Sequence, residues 1–315
     1  MEGLEMEKIN FTVPAEEVTR VKGLGFLKDK TTENKFNARV ITRNGKITSG
    51  EARVIAEAAE KFGSGELAFT TRQTVEVQAI PFENIDPFIA FLKENNLEVG
   101  GTGPRVRPIV SCKGTTCQYG LIDTYGLSME IHKRFYLGYH SVTLPHKFKI
   151  AVGGCPNNCV KPDLNDLGII GCVINSVDKE KCKACKKCFV EEACPVNAAK
   201  LTEDKIAIDD KECNKCGRCN EKCPFGAVKA VKNGYRVLVG GRWGKRSACG
   251  REIGKIFETE DEVLNFVEKA ILYFKAYGVK GERFADTITR IGFEKAEKEL
   301  LSNAVIENKE EILKK

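Results

Sequence analysis

Long apolar stretches are missing from this sequence of 315 residues. No run reaches the roughly eighteen apolar residues that a membrane-spanning helix needs, so we expect no transmembrane segment. The N-terminus, Met1-Glu2-Gly3-Leu4-Glu5, is acidic and has no apolar core of the kind found in secretory signals. These two absences predict a soluble protein of the cytoplasm.

Basic runs and low-complexity segments are also missing. The net charge of +6 is modest, and lysines are interleaved with acidic residues along the chain. Nucleic-acid binding is therefore not expected, because no basic run stands apart from acids. The apolar fraction of 42% is enough for well-packed cores, and the length allows two domains with a small inserted third.

Cysteine, in contrast, is abundant: 12 of the 14 cysteines fall into two pairs and one cassette. The pairs are Cys112-Lys-Gly-Thr-Thr-Cys117 and Cys155-Pro-Asn-Asn-Cys159, and the cassette runs from Cys182 to Cys223-Pro224. Such spacing is typical of iron–sulfur ligation, so the protein is expected to transfer electrons. Cys172 and Cys249 lie outside these groups, and we interpret each as a buried or free structural cysteine.

The cassette has the form of the bacterial two-cluster ferredoxin run, in which the fourth cysteine of each half ligates the other cluster. Two-residue spacers let a tight loop direct three thiolates at one cube, and the proline after the fourth cysteine turns the chain without an N–H donor. Five residues separate the third and fourth cysteines of the first half, which lengthens a loop without removing a ligand. The expected ligand sets are Cys182, Cys185, Cys188 and Cys223 for one cluster and Cys213, Cys216, Cys219 and Cys194 for the other.

Zinc binding and disulfide formation are the two alternatives for these cysteines. Zinc knuckles use four ligands with longer gaps between the pairs, and disulfides would imply an exported chain. The motif therefore favours two [4Fe–4S] clusters in a reducing compartment.

Residues 36–98 predict a β-α-β-α unit and hence an α+β sheet layer. Ser49 is the expected cap of the first helix, and Gly63 is expected to end it. The expected elements are a strand over Phe36–Thr42, a helix over about 51–62, a strand over Glu66–Ile80 and a helix over Ile85–Asn95.

The rest of the chain predicts a domain interrupted by the cassette. Residues 104–176 combine short strands with one helix over roughly Ile122–Phe135. Strand character resumes at Tyr235–Val239, and helices are expected at about 260–278 and 284–314. The cassette, at about 178–232, is therefore expected as an insertion in a larger domain that continues on both sides.

A lysine pair precedes the second cysteine pair. Alternate residues of a strand share a face, so Lys147 and Lys149 would point one way while Phe148 and Ile150 point into the core. Gly153-Gly154 would let the backbone pass close to a bulky group. Two ammonium groups beside a thiolate pair predict an anion site next to a metal centre; the alternative is a solvated strand face.

In combination, these motifs resemble the sirohaem-dependent sulfite and nitrite reductases. The resemblance rests on Cys112-x4-Cys117 with Cys155-x3-Cys159, on Thr70-Thr-Arg-Gln73 and on Leu144-Pro-His-Lys-Phe-Lys149. It covers most of residues 30–260 and is nearest to the small anaerobic sulfite reductase C-type subunits and their single-chain relatives, which also carry a ferredoxin insertion. The first pair departs from the family, where a longer spacing is commoner.

The resemblance implies three domains and four cofactors. A ferredoxin-like half domain would occupy 1–103, a sirohaem/[4Fe–4S] domain 104–177 and 233–315, and an inserted two-cluster ferredoxin domain 178–232. Cys112, Cys117, Cys155 and Cys159 would hold a third [4Fe–4S] cluster, with Cys159 as the bridge to the sirohaem iron.

The resemblance also implies which polar residues surround the sirohaem and the substrate. Sulfite or a similar small oxyanion would meet Lys147, Lys149, Arg39 and Arg107, with Arg105 as the alternative to Arg107. The sirohaem carboxylates would contact Arg72, Gln73, Arg242, Lys245 and Arg246.

The implied activity is the six-electron reduction of sulfite to sulfide. An external ferredoxin, or a flavin or iron–sulfur subunit, would supply electrons through the ferredoxin clusters. Nitrite reduction to ammonia and a non-catalytic electron-transfer subunit are the alternatives. Large family members fuse two halves or pair two related chains, so this chain would act as a lone half, a homodimer or one part of a hetero-oligomer.

Overall fold

The computed structural model describes residues 12–202 and 205–314. The chain divides into two compact units, Met1–Gly103 and Pro104–Lys315. The acidic segment Met1–Glu5, on which the expectation of a cytoplasmic protein partly rests, lies outside the described residues. Within the described ranges, no helix combines the length and the apolar character needed to cross a membrane.

The first unit combines helices with an antiparallel sheet in the order β1–β2–β4–β3. Its core is aromatic: the rings of Phe26 and Phe88 lie 5.9 Å apart, and both side chains are fully buried. Burial of such large side chains is the main stabilising contribution in a unit of this size. Its elements are α1 (Ala15–Leu24), β1 (Phe26–Lys28), β2 (Lys35–Val40), α2 (Ser49–Phe62), β3 (Leu67–Phe69), β4 (Val75–Pro81) and α3 (Ile85–Glu94).

Helix α2 is capped by Thr48 and not by Ser49. The Thr48 hydroxyl accepts the Glu51 N–H at 3.1 Å, and the Glu51 carboxylate accepts the Thr48 N–H at 2.6 Å. This reciprocal capping box satisfies two backbone donors that a Ser49 cap would leave open. The prediction of Ser49 as the cap was therefore wrong, whereas Gly63 as the residue that ends the helix is confirmed.

The strand predicted over Glu66–Ile80 is a hairpin of β3 and β4. The chain reverses between them, with Gln73 in the left-handed region at a φ of 59°. The Thr70 hydroxyl accepts the N–H groups of Arg72 and Thr74, each at 3.2 Å. Hydroxyl-to-backbone hydrogen bonds of this kind compete with a strand ladder, and an alternating apolar pattern does not reveal them.

The second unit is built on a mixed five-stranded sheet in the order β11–β10–β7–β6–β5. Strands β5, β6 and β7 are parallel, whereas β7, β10 and β11 are antiparallel. This mixture of helix and sheet agrees with the predicted α+β class. Its elements are β5 (Val110–Ser111), α4 (Thr124–Ile131), β6 (Ile150–Gly153), β7 (Leu167–Val177), α5 (Phe189–Glu192), β8 (Ala199–Thr202), β9 (Lys205–Ile208), β10 (Val228–Val239), β11 (Arg251–Glu252), α6 (Glu260–Tyr277), α7 (Phe284–Ile291), α8 (Phe293–Leu301), α9 (Ala304–Glu307) and α10 (Lys309–Lys314).

The single helix predicted over 284–314 is the series α7 to α10. Gly292, at a φ of 94°, ends α7, and Ser302 ends α8 in an extended conformation. Phe293 and Val305 remain buried on the far side of these breaks, so the apolar pattern continues across them and conceals them. The helix predicted over roughly Ile122–Phe135 is α4, extended by a π-helical segment over 132–137.

Strands β7 and β10 form a long antiparallel hairpin from which the cassette projects. Val177, at the end of β7, lies opposite Val228, at the start of β10. Residues 178–227 leave and return at this one point, and they contain α5 and the two-stranded sheet of β8 and β9. The strand predicted at Tyr235–Val239 is the second part of β10, which begins at Val228. Its start therefore lies inside the range 178–232 expected for the inserted domain.

Candidate functional site

The two cysteine pairs lie at the carboxyl ends of neighbouring parallel strands. Cys112 follows β5 directly, and Cys155 follows β6 after Gly154. The Cys112 N–H donates to the Val152 carbonyl at 3.1 Å, which continues the β5–β6 pairing into the first loop. In α/β sheets, this edge beyond the strand ends is where ligands bind. The fold therefore gathers both pairs at one edge of the sheet.

Close backbone contact joins the two cysteine loops. Gly114 in the first loop packs directly on Gly154 in the second. The Gly154 N–H donates to the Cys112 sulfur at 3.1 Å, and the Gly154 carbonyl accepts the Leu121 N–H at 2.9 Å. The two loops are thus joined by hydrogen bonds as well as by backbone packing.

The sulfurs of the two pairs share one electrostatic environment. Burial raises the pKa of the Cys155 thiol, and repulsion from Cys112, Cys159 and Cys117 raises it further. Several thiolates at such close range need compensating positive charge, which iron ions supply. Cys159 is exposed, whereas the other three are half-buried. The donor set fits a [4Fe–4S] cube, and Cys159 is the member with room for a further group.

The beginning of α4 braces the first cysteine loop. The Thr124 hydroxyl donates to the Cys112 carbonyl at 2.7 Å, and the Ser111 hydroxyl donates to the Thr124 carbonyl at 3.1 Å. The Thr115 hydroxyl donates at 2.7 Å to Asp123, the residue that caps α4. These side chains hold the loop by bonds that need no bound cluster.

Lys147 and Lys149 lie in the extended segment that leads into β6. Phe148, between them, is fully buried, as is Ile150, which confirms the predicted core face. The two lysines are half-buried. Burial of a lysine disfavours its charged form, so an ammonium in this position gains from binding an anion.

Arg105 and Arg107 both pair with the lysine segment through the backbone, with the Arg105 carbonyl accepting the Phe148 N–H at 2.9 Å, but their side chains differ. The Arg107 N–H donates to the Phe148 carbonyl at 2.8 Å. Burial lowers the pKa of Lys147, and neighbouring guanidinium charges, including that of Arg107, lower it further. Arg105 instead contacts His140, with its Nη1 3.3 Å from the ring Nε2.

Sequence reasoning missed a buried ion pair beside the lysines, formed by Asp166 and Arg283. The Arg283 Nη2 donates to both carboxylate oxygens, at 2.9 and 3.0 Å. Asp166 Oδ2 also accepts the Lys149 N–H at 2.9 Å. Arg283 lies 117 residues after Asp166. No motif connects the two, so no signal in the sequence points to the pair.

Of the three cationic residues of the second unit that are expected at the sirohaem carboxylates, Arg242 differs from the other two. Its Nη1 donates to Asp286 at 2.6 Å. Burial lowers the pKa of His146, and the charge of Arg242 is one of several that lower it further. Lys245 and Arg246 are exposed in the loop that follows. Arg242 thus lies close enough to His146, next to Lys147, to act on its charge, whereas Lys245 and Arg246 lie on the surface.

Arg39, Arg72 and Gln73 belong to the first unit. Arg39 lies in β2, and its Nε is 3.3 Å from the Glu76 carboxylate in β4. Arg72 and Gln73 form the turn between β3 and β4, where the Gln73 carbonyl accepts the Thr42 hydroxyl. Their roles toward substrate and sirohaem stay predictions.

The first expected ligand set of the cassette lines a single pocket. The pocket measures about 420 Å³ with its open mouth, and Phe189 and Phe225 form part of its lining. These two rings are 51% and 48% exposed, so the pocket reaches the surface. The Ile206 N–H donates to one of its sulfurs at 3.3 Å. The four cysteines of the pocket are Cys182, Cys185, Cys188 and Cys223.

The structure also brings the second expected set together. Burial raises the pKa of Cys219 to about 11, and the charges of the other three cysteines contribute to the increase. Burial would also raise the pKa of Cys194, but N–H groups of the residues that follow it lower the pKa overall. One of them, of Ala198, lies 3.2 Å from the sulfur. The four cysteines are Cys194, Cys213, Cys216 and Cys219.

The loop of the second set packs on the five-stranded sheet. The Val173 N–H in β7 donates to the Lys215 carbonyl at 2.9 Å. The guanidinium of Arg218 lies over the ring of Tyr119, 5.5 Å from its centre. Tyr119 follows Cys117 closely in the chain, so this contact connects the cassette with the first cysteine loop.

The two remaining cysteines are separate from these groups. Cys172 is buried in β7, and burial raises its pKa to about 11, whereas Cys249 is exposed. In the ranges 12–202 and 205–314, no three His, Cys, Asp or Glu side chains are close enough to share a single metal ion.

Comparison with known families gives two matches that together cover most of the chain. The family described as "Nitrite and sulphite reductase 4Fe-4S domain" matches residues 102–307. The one described as "Nitrite/Sulfite reductase ferredoxin-like half domain" matches residues 28–95.

Relatives include proteins from an archaeon and a bacterium. The coenzyme F420-dependent sulfite reductase of Methanocaldococcus jannaschii is 32% identical over 248 residues, which are 78% of this chain and 38% of that protein. An uncharacterized protein of the same organism is 32% identical over 82% of this chain and 88% of its own length. The C-type subunit of the anaerobic sulfite reductase of Salmonella typhimurium is 31% identical over 70% of this chain and 66% of its own length. This chain thus spans well under half of the first relative.

Two solved structures share the fold. Dissimilatory sulfite reductase I superposes with a TM-score of 0.67 at 22% identity, over 84% of this chain and 69% of that one. The Mycobacterium tuberculosis NirA protein superposes with a TM-score of 0.63 at 16% identity, over 91% of this chain and 46% of that one.

Proposed function

The chain belongs to the nitrite and sulphite reductase family, and on that premise we propose that it is a catalytic sulfite reductase chain that reduces sulfite to sulfide. The observation that carries the proposal is that one strand, β6, joins a cationic segment at its amino end to the four-cysteine group at its carboxyl end. Cys112 and Cys155 follow β5 and β6, and Lys147 and Lys149 lead into β6. A non-catalytic electron-transfer subunit would not need two half-buried lysines on the strand that leads to this cysteine group.

The four cysteines beyond the carboxyl ends of β5 and β6 fit the cofactors of the family. Cys112, Cys117, Cys155 and Cys159 would hold a [4Fe–4S] cluster, with Cys159 shared with the sirohaem iron. When bound, this coupled centre would supply electrons singly to the substrate atom. Its carboxylates would be neutralised by Arg72, Arg242, Lys245 and Arg246 and would accept a hydrogen bond from the Gln73 amide.

The cationic side chains perform the remaining chemistry. Sulfite is an anion, and Lys147, Lys149 and Arg107, together with Arg39, would attract it and orient its oxygens. Reduction to sulfide takes up six electrons and releases the three oxygens as water, so protons must be delivered repeatedly. The lowered pKa of Lys147, caused by burial and then by neighbouring guanidinium charges, makes its ammonium a better proton donor than an exposed lysine.

The cassette would relay electrons as an inserted two-cluster ferredoxin domain over 178–232. Two observations support an order for the relay. The pocket with Cys223 opens to the surface between Phe189 and Phe225, whereas the loop with Cys219 packs on the sheet and reaches Tyr119 through Arg218. Electrons would enter at the first set and leave through the second. The donor would be a ferredoxin or a flavin or iron–sulfur subunit.

Nitrite is the second candidate substrate, because the matching families include reductases of both anions. One experiment separates the possibilities. Protein purified without oxygen should show sirohaem absorption and about twelve irons per chain, and it should reduce sulfite with a higher kcat/KM than nitrite. The opposite preference would make nitrite the substrate. Absence of sirohaem from protein with full iron content would favour the electron-transfer subunit and defeat the proposal.

A further inference from the structure

A buried carboxylate lies next to the lysines that the proposed function assigns to sulfite. Asp166, immediately before β7, has no exposed surface, and Arg283, immediately before α7, is 7% exposed. The carboxylate accepts hydrogen bonds from the Arg283 guanidinium and from the Lys149 N–H. A carboxylate removed from water is costly unless it is paired and hydrogen-bonded. Asp166 meets both conditions, and one of its two partners is the lysine segment itself.

Helix α7 is attached to the same segment at a second point. Phe284, the residue after Arg283, packs on Phe148 with ring centres 5.2 Å apart. Phe274 contacts both rings, at 5.9 and 5.4 Å, and all three side chains are fully buried. Because Phe148 lies between Lys147 and Lys149, the start of α7 holds this segment by an apolar contact and by the ion pair.

We propose that Arg283, held by Asp166, is a positioning residue of the oxyanion site, which fixes the Lys147–Lys149 segment and adds positive charge to the field that attracts sulfite. This inference rests on the proposed function. The pair is close enough to the substrate lysines for its charges to act on them. The charge of Arg283 does act on Lys147: after burial, it is the largest cause of the lowered pKa of that lysine, and the Asp166 carboxylate opposes it only in part.

Three variants test the inference, with one matched control. Arg283→Met removes the positive charge, Arg283→Lys retains it, and Asp166→Asn combined with Arg283→Met removes both charges, so that no buried ion is left unpaired. Arg290→Met is the control, because Arg290 lies in α7, which begins directly after Arg283, and is also paired with a carboxylate, but is 47% exposed. The measurements are sulfite KM and kcat across pH with a small chemical reductant, sulfite binding by calorimetry, and the melting temperature.

The expected result separates positioning from folding. Arg283→Met and the double variant should weaken sulfite binding and raise KM about tenfold, the effect of one charged contact, while kcat changes less. Loss of the Arg283 charge raises the pKa of Lys147, so the alkaline decline in kcat/KM should move to higher pH. Arg283→Lys should keep the parental decline and most of the affinity. Arg290→Met should match the parent protein.

Two outcomes would count against different claims. If the double variant folds, carries the same cofactors and keeps the parental KM and pH profile, the ion pair does not position the lysines and this inference is overturned. If the parent protein, loaded with its cofactors, does not bind or reduce sulfite, the proposed function itself fails. A double variant that does not fold leaves Arg283→Lys to decide: with its charge retained, a tenfold rise in KM and an altered pH profile would contradict the electrostatic role.

Discussion

Gly114 and Gly154 pack backbone to backbone between the two cysteine loops. A β-carbon added to Gly114 would lie 2.9 Å from the Cα of Gly154, and one added to Gly154 would lie 2.8 Å from the Cα of Gly114. Side chains do not tolerate such distances, so only glycine at both positions lets the loops come this close. The convergence of the two cysteine pairs therefore depends on two residues that carry no ligand.

We expect Gly154→Ala to separate the loops and prevent assembly of the cube at the two pairs. The same β-carbon would also lie 3.2 Å from the Thr124 side chain, so the strain cannot be relieved in that direction. The variant should lose about four of twelve irons per chain, while the clusters of the cassette remain. Overpacking should cost about 1–3 kcal/mol of stability. Iron analysis and magnetic spectra check the prediction.

Gly23→Ala is the matched control, because a β-carbon there meets no atom within 4 Å and Gly23 lies within helix α1. It should keep the full iron content. A Gly154→Ala protein that also keeps all its iron would show that the loops can move apart without losing the cluster.

Cys159→Ser should abolish turnover and uncouple the haem from the cube, while the cassette clusters are spared. The reason is that Cys159 ends the second pair and is the exposed member of the four cysteines, as a residue shared with a large cofactor must be. Cys249→Ser is the control, since Cys249 is also exposed but belongs to no group. Magnetic spectra of both variants decide: a coupled haem–cube signal that persists in Cys159→Ser contradicts the assignment.

The cysteine groups could be predicted from the sequence because cluster ligation is local. Spacers of two residues fix which thiolates can reach one cube. The structure brings together the two sets expected when the fourth cysteine of each half ligates the cluster of the other half. The Lys147–Lys149 face could be predicted for the same reason, since alternation along a strand is a property of consecutive residues.

The rest of the site depends on contacts between distant parts of the chain. Arg283 reaches Asp166 because the start of α7 packs on the segment before β6, where Phe284 contacts Phe148. No sequence motif includes either residue. Thr48 and Ser49 are both good caps, and only the position of Glu51 selects Thr48. The reversal at Gln73 depends on a hydroxyl bond from Thr70, which an apolar pattern cannot show.

Lys147→Met and Lys149→Met should each reduce kcat/KM for sulfite about tenfold to a hundredfold, as expected for the loss of a charged hydrogen bond to an anion. Methionine keeps the aliphatic stem, so cofactor content should not change. Lys298→Met, at an exposed position of α8, is the control. Normal sulfite kinetics in both variants would place the anion site elsewhere, most simply among the arginines.

Lys147 should also determine how sulfite reduction depends on pH. Its pKa is lowered by burial and then by the charges of Arg283 and Arg107, so the ammonium loses its proton at a lower pH than an exposed lysine does. Below that pKa the charge is present and binds the anion, and above it kcat/KM should decline. In Lys147→Met this decline should disappear or move to higher pH, because Lys149 and the arginines remain. An unchanged profile would assign the titration to another group.

The cassette should be removable at the cross-strand pair of Val177 and Val228. Because these residues face each other in the hairpin of β7 and β10, residues 178–227 can be replaced by Asn-Gly, the preferred two-residue turn between antiparallel strands. The shortened protein should bind sirohaem, retain about four irons and reduce sulfite with a small chemical reductant, but it should not accept electrons from a protein donor. Absorption spectra, iron counts and assays with both kinds of donor test this.

The full-length Cys219→Ser variant is the comparison, since it disrupts the cluster expected at the second ligand set and leaves the rest of the cassette in place. Loss of sirohaem from the shortened protein alone would show that the cassette supports the core through its contacts with Val173 and Tyr119, and is not a separable relay.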